Sequence, residues 1–569
     1  MPARPRSCSA EADILVGIDV GGTHTDAVAV RRGRVSAQAK ERTDPDNLLN
    51  SVRGALAALQ LDPTGIARVN LSTTLATNAV VSGRLEEVGV LVSGGPGIDP
   101  EAFRIGRHYY AIPGAVDFRG VEIAALDEAH LAAAASECRE KGLAAYAVAG
   151  KFSSRNPEQE QRMGAAIGRA EHISFGHKLS GRLNFPRRIV TAYYNAAVRK
   201  THNAFARAVS SALGEAGVHA PVHILKADGG TMPLALSSDM PVETILSGPS
   251  ASVMGIMALA GDMPGFAEND AAVLDIGGST TDIALFADGS PVIERDGIAI
   301  NSRLSLVRAI HTRSIGVGGD SRICREGGII RLGERIGFSR AFGGHEATLT
   351  DALNLLGRAQ AGDISASAAG LAALAADWDL PATVLAAAAA DDAAQRIAGA
   401  LDELTRAINA RPVYTLRELL EDRPIVPKCL CLAGGPAVAL APLLETVTGL
   451  PAQAPRHYAV ANAVGAALAR TTAELELYAD TAKGMLIIPA LGIRKSVGQD
   501  YSLDQAQADA RAALRASCAT LNADSGMAAE TDIAITEASS FSMIEGARRS
   551  GRTLRVRAQI QPGLLHALH

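Results

Sequence analysis

Two short stretches of this chain carry the residue types that hold a polyphosphate, and they are nearly the same sentence. Asp19-Val20-Gly21-Gly22-Thr23-His24-Thr25-Asp26 and Asp275-Ile276-Gly277-Gly278-Ser279-Thr280-Thr281-Asp282 both read Asp, β-branched residue, Gly, Gly, hydroxyl, any residue, Thr, Asp. Glycine pairs lack Cβ atoms, so successive backbone N–H groups can converge on an anion. The hydroxyls of Thr23, Thr25, Ser279 and Thr280 add neutral donors. Asp19 and Asp275 repel phosphate, but they can hold Mg²⁺, usually through water, because that ion keeps much of its hydration shell. A single Asp-x-Gly-Gly-Thr is more often a tight hairpin turn. Two copies with matched flanks point instead to one polyphosphate gripped from two sides.

The flanks supply the elements that must position these loops. Apolar strands are predicted over 14–19 and 272–274, and each loop leads into a second strand, 27–30 or 283–286. A first α/β unit is expected over 13–185, with further strands at 88–92 and 144–149 and helices at 48–59 and 128–141. Residues 1–12 read as a disordered leader. The polar joint Asn184-Phe185-Pro186-Arg187-Arg188 leads into a helix over 189–216, where Tyr194, Val198, Phe205, Val209 and Leu213 make one apolar stripe. A second unit is expected over 186–490, with an alanine-rich helical insert at 365–410 broken at Pro381. A strand over 429–432 runs into Gly434-Gly435. A small-residue helix suited to close approach follows at 461–467. The tail, 498–569, reads as a small α+β domain. Arg555 and Arg557 lie on one face of its last strand, read as a solvated face.

Bulk properties exclude several classes. At 569 residues the chain exceeds one compact core. A net charge of −5 gives no electrostatic case for nucleic acid. No run of about 20 uncharged apolar residues suggests a membrane span. The six cysteines lack metal-site spacing, and free thiols in a reducing cytoplasm are the stronger reading.

The order of motifs resembles the actin-like ATPase superfamily, in which two RNase-H-like lobes clamp ATP and Mg²⁺. More narrowly, the chain resembles the hydantoinase/oxoprolinase family, specifically its hydantoinase A type subunit. The resemblance rests on Gly17 to Asp26, Ser72-Thr73-Thr74-Leu75-Ala76-Thr77-Asn78-Ala79, Phe152-Ser153 with Asn156-Pro157-Glu158, Asp228-Gly229-Gly230, Ser247-Gly248-Pro249-Ser250-Ala251, Asp275 to Asp282, and Ile315-Gly316-Val317-Gly318-Gly319. It covers roughly residues 13 to 470. It implies ATP-dependent opening of a cyclic amide such as a hydantoin or 5-oxoproline, with a B-type partner subunit in a homo- or hetero-oligomer. Relatives carboxylate ketones. A small-molecule kinase and a non-enzymatic, ATP-driven reactivase of the same fold remain alternatives.

On that reading Asp19 and Asp275 orient hydrated Mg²⁺, with Asp275 the better candidate to handle a proton. Gly21, Gly22, Thr23 and Thr25 take one side of the phosphates, and Gly277, Gly278, Ser279 and Thr280 the other. Gly434 and Gly435 let the backbone approach the adenosine. Thr73, Thr74, Thr77, Asn78, Ser247, Gly318 and Gly319 are the substrate-side candidates. Capping explains Ser247 equally well, since it opens a helix. The chain departs from the family at His24, usually an aromatic residue, at Asp320, usually glycine, and at a shortened loop around 337–344. These departures bear on the substrate more than on the ATP site.

Overall fold

The computed structural model describes residues 12–569 except 23, 45–46, 169–171, 262, 264, 267, 295, 411–422, 522–532 and 546–547. The reading of a leader at 1–12 therefore falls almost wholly outside the described residues, as does that of Thr23. The first sheet is built on β1 (Ile14–Val20), β2 (His24–Arg31), β3 (Arg34–Arg42), β4 (Ile66–Thr73), β5 (Val222–Leu225) and β6 (Thr231–Pro233), in the order β6-β5-β4-β1-β2-β3. Every residue of β1 is buried, as its continuous apolar run requires of a central strand covered on both faces. β1 and β2 are antiparallel with Asp19 opposite Asp26, and β1 runs parallel to β4 with Val20 opposite Thr73. Because β5 and β6 lie beyond residue 185 yet complete this sheet, the first lobe does not end at the polar joint. That joint instead caps α1 (Phe185–Glu215), where the Asn184 side chain accepts from the Arg187 amide. A separate four-stranded parallel sheet (88–93, 108–111, 145–150, 172–175) packs against α1.

The second lobe repeats the scheme. α2 (Ser247–Leu259) leads into β7 (Ala271–Ile276) and β8 (Thr281–Ala287), antiparallel with Asp275 opposite Asp282. β9 (Thr312–Ile315) pairs with β8, and β10 (Cys429–Ala433) runs parallel to β7. The alanine-rich region forms α3 (Ile364–Asp377) and α4 (Ala382–Asn409). It is no peripheral insert: Leu371, Leu385, Ala389 and Ile397 share one core with Leu274, Ile283 and Leu432 of the sheet. This pair, bent by 99°, meets a membrane-span test by length and composition alone, and no single described helix does.

The lobes meet where α2 crosses α5 (Ala461–Leu468). Small residues at the crossing let backbone touch backbone. A Cβ on Gly465 would lie 2.0 Å from the Ala251 carbonyl oxygen, one on Gly255 1.9 Å from that of Ala461, and one on Gly17 of β1 2.0 Å from that of Ala463. The C-terminal sheet begins earlier than residue 498, because the strands at 474–480, 485–488 and 493–496 join those at 533–545 and 548–560. Its arginines do not form a solvated face. Arg555 pairs with the buried Glu476 at 2.5 Å, and Arg557 with Glu537 at 3.0 Å.

G465A should destabilise the protein by about 3 kcal/mol, since the added methyl meets immovable backbone. G399A, inside α4 with open space around its Cβ, should instead stabilise by up to about 1 kcal/mol. Urea unfolding of the two variants checks both signs.

Candidate nucleotide-binding cleft

The two glycine loops close in the same way. Gly21 N–H donates to the His24 carbonyl at 3.0 Å, and Gly277 N–H donates to the Thr280 carbonyl at 2.9 Å. Each loop tops a strand whose last turn carries the aspartate, so both loops and both carboxylates project from the carboxyl ends of central strands, where open α/β sheets take ligands.

Two side chains from the helix crossing tie the halves together. Asn462 of α5 donates to Asp19 Oδ2 at 3.2 Å. The Ser252 hydroxyl of α2 shares its one proton between Asp275 Oδ2 at 2.5 Å and Asn462 Oδ1 at 2.9 Å. The contacts Asp19–Asn462–Ser252–Asp275 thus span the seam and bring the ends of the two loop-bearing strands together. Asp19 Oδ1 is buried with no hydrogen-bond partner; Ser72 on β4 favours the ionised form without completing a bond. Neither Asn462 nor Ser252 was picked out by the sequence reading. The one signal for Asn462 is that it is the lone polar side chain in an Ala/Val/Gly helix.

The cleft is electrostatically loaded. Burial pushes the Asp19 and Asp275 carboxyls up, against the lowering by Asn462 and Ser252, and Asp275 raises Asp19 further. Burial lifts Asp26 to about 6 even though Lys40 sits 2.8 Å away. Asp282 rises to about 7 through burial and the neighbouring charge of Asp275. His24 is depressed to about 4 by burial and then by Lys40, Arg42 and Arg335, which keeps the imidazole neutral. Asp275 and Asp282 are reached by solvent although enclosed, as a site filled from outside must be. The charge of Asp275 thus raises Asp19, Asp26 and Asp282, and a cation bound near it would relieve that repulsion.

Several expected residues serve the frame instead. The Thr25 hydroxyl is buried and bonded to Thr43, which in turn donates to the Gly21 carbonyl at 2.9 Å. It shapes the first cradle from below. Gly318 and Gly319 pack directly against the second cradle. Gly319 N–H donates to the Gly277 carbonyl at 2.9 Å, and a Cβ on Gly318 would lie 2.5 Å from the Gly278 oxygen. Ser247 is not the helix cap: Leu246 holds that position with φ +68°, and the buried Ser247 hydroxyl donates to the Thr73 carbonyl at 2.9 Å. Thr77 Oγ1 accepts from the Leu246 amide at 2.8 Å. Thr73, Thr77 and Ser247 thus clamp α2 onto the end of β4, leaving Thr74 and the exposed Asn78 as the outward-facing members of that group. Gly434, φ +88°, abuts the second cradle, for its Cβ would lie 2.2 Å from the Ile276 oxygen and 2.8 Å from Asp275 Oδ1. Gly22 and Gly435 have open space where a side chain would be. Ser279 is partly exposed and Thr280 exposed.

Two family models match in sequence: residues 15–170 fit the hydantoinase/oxoprolinase N-terminal region, and residues 188–475 fit the hydantoinase/oxoprolinase model. The chain belongs to the hydantoinase/oxoprolinase family. Within it, the caprolactamase subunit alpha of Pseudomonas jessenii is 28% identical over 382 residues, covering 60% of this chain and 54% of that one. The acetophenone carboxylase gamma subunit of Aromatoleum aromaticum (strain DSM 19018 / LMG 30748 / EbN1) is 26% identical over 397 residues, covering 60% and 53%. These alignments span about half the length of either relative. The fold is that of nucleotide-free acetone carboxylase (TM-score 0.68, 18% identity, 96% of this chain and 88% of that one) and of ATP-dependent caprolactamase from Pseudomonas jessenii (TM-score 0.67, 18%, 96% and 87%).

A carboxyl raised in the folded state favours folding below its unfolded value, and that advantage is lost as pH rises through the folded one. Asp282, lifted from 3.8 to about 7, therefore costs stability at pH 8. D282N should be more stable than the parent there, by up to about 4 kcal/mol, with the gap narrowing between pH 7 and pH 4. Paired melting curves across pH 4–9 measure it.

Proposed function

We propose that this chain is the ATP-binding subunit of an enzyme that opens a cyclic amide, a hydantoin, 5-oxoproline or related lactam, together with a B-type partner subunit. The observation that carries this reading is the Asp19–Asn462–Ser252–Asp275 chain, because it brings the ends of both loop-bearing strands, each with its aspartate, to one seam. The likeness to a caprolactamase alpha subunit supports the ring-opening chemistry.

ATP supplies a phosphoryl group that converts an amide carbonyl oxygen, a poor leaving group, into a good one. The chain's own task is then positioning and charge balance, which is most of what phosphoryl transfer asks of a protein. With the Gly21 and Gly277 N–H groups spent on closing their loops, Gly22 and Gly278 offer backbone N–H groups from opposite lobes, with the Ser279 and Thr280 hydroxyls beside them. Gly435 leaves room for the nucleoside end. Among the described residues no cluster of three or more His, Cys, Asp or Glu side chains makes a ready metal cage. Mg²⁺ in nucleotide sites is held by one or two carboxylates, water and phosphate, and the unpartnered Asp19 Oδ1 with the reachable Asp275 fits that requirement. Asp275, hydrogen-bonded to Ser252 and raised by burial, is the group placed to take and return a proton.

A second reading has specific support. The acetophenone carboxylase relative favours ATP-dependent carboxylation of a ketone, in which the oxygen activated would be that of an enol. A non-enzymatic reactivase has no such support and would respond only to a folded protein.

With a co-expressed B-type subunit, ADP should be released in step with opening of one member of a lactam and hydantoin panel. D19N and D275N should each slow that release by about 2–4 kcal/mol of barrier, roughly 30- to 1000-fold, with the fold intact by circular dichroism. ADP release driven only by ketone plus bicarbonate selects the second reading. Release driven only by a protein partner rejects both.

A further inference from the structure

Arg335 is not used by the site as described, yet it stands at the lip of the second cradle. Its Nη1 donates to the Ser279 hydroxyl at 3.0 Å, its Nε donates to the Gly337 carbonyl at 3.0 Å, and Nε lies 3.4 Å from Asp320 Oδ2. The side chain is a quarter exposed, so it is held but not locked in. It also reaches across the cleft electrostatically, being one of the cations that depress His24 in the first cradle. Behind it, Phe338 lies against two guanidinium groups, those of Arg335 and of Arg42 on β3, each 5.1 Å from the ring centroid. Arg42 donates in addition to the Phe342 carbonyl at 3.3 Å. A loop of the second lobe is therefore seated on the first lobe, with Arg335 held beside the second cradle.

We infer that Arg335 is a catalytic residue supplied in cis, whose guanidinium neutralises the phosphoryl group in transit between the two cradles. This rests on the nucleotide reading above and adds a residue to it. During transfer the phosphorus–oxygen bond to ADP breaks, its electron pair leaving with ADP, while a bond to the acceptor oxygen forms. The charge then spreads over the three equatorial oxygens. A planar, permanently charged fork suits those oxygens better than an ammonium does. Asp320 aims this fork: its other oxygen accepts from the Ser339 amide at 3.2 Å, so it remains partnered when Arg335 turns inward. The competing explanation is that Arg335 serves only to balance the buried Asp320.

The test is calorimetric, on the full chain, with Mg²⁺–ADP alone and with aluminium fluoride added to mimic the phosphoryl in transit. Aluminium fluoride should tighten wild-type binding. R335A should lose about 100-fold of the affinity for the aluminium fluoride complex and less than about threefold of that for ADP. R335K should recover little, and F338L, which keeps the cation but removes its rest, should show a smaller loss of the same kind. A variant R335A that binds the analogue as tightly as wild type overturns the inference, as does one that loses ADP and analogue equally, because a merely structural arginine would do that. A wild-type protein that binds neither Mg²⁺–ATP nor Mg²⁺–ADP overturns the nucleotide reading beneath it instead.

Discussion

Desolvated negative charge is the constraint on which the rest of this structure depends. Asp19, Asp26, Asp275 and Asp282 come together because each hairpin pairs its own two aspartates and the helix crossing then brings the hairpins to one seam. Burial raises all four carboxyls, and repulsion from a neighbouring carboxylate adds to it at Asp19, Asp26 and Asp282. The frame absorbs part of the strain through Lys40, Asn462 and Ser252. At Asp228 the chain handles a buried charge by pairing it. Asp228, in the Asp-Gly-Gly turn, is equally buried, yet Lys226 and Arg308 hold its carboxyl well below the usual range. Paired charge there and under-compensated charge in the cleft mark the difference between a strut and a site.

The internal repeat is close but not symmetric, and the asymmetry has a physical reading. Both loops make the same turn, and the threonine after each turn is buried and pinned, Thr25 to Thr43 and Thr281 to the Val317 carbonyl at 2.7 Å. The far aspartates differ. Asp26 has Lys40 against it, whereas Asp282 is eased by the Ser314 hydroxyl, a neutral group, and so rises further. The second cradle also has the Gly318–Gly319 turn beneath it and Arg335 beside it, so the two sides offer a bound polyphosphate different charge.

Much of this was legible from residue types, and the reasons for the rest are specific. The hairpins, the strand at 429–432 and the bent alanine-rich helices follow from local pattern, because glycine pairs, alternating strands and Pro381 act within a few residues. The lobe boundary was misplaced because a helix-capping joint at Asn184 looks like a linker in sequence, while membership of β5 in the first sheet is decided by pairing with β4 far upstream. Ser252, Asn462 and Arg335 could not be found by spacing, since each matters only through a partner on another element. Thr25, Ser247, Gly318 and Gly319 were assigned to ligand contact for their chemistry, whereas the structure spends their hydrogen bonds or their lack of a side chain on holding the cradles in shape. Close approach at Gly17, Gly255 and Gly465 supplies what the small-residue pattern of α5 only suggested: the seam is tight enough for Asn462 to span it.

The central claim is that both glycine loops grip one nucleotide at once. Amide hydrogen exchange on the full chain, with and without Mg²⁺ and a non-hydrolysable ATP analogue, tests it most directly. The account predicts that backbone amides at 20–24 and at 276–280 slow together, over the same range of nucleotide concentration. Slowing at one hairpin alone, or at neither while the protein demonstrably binds nucleotide, would contradict it.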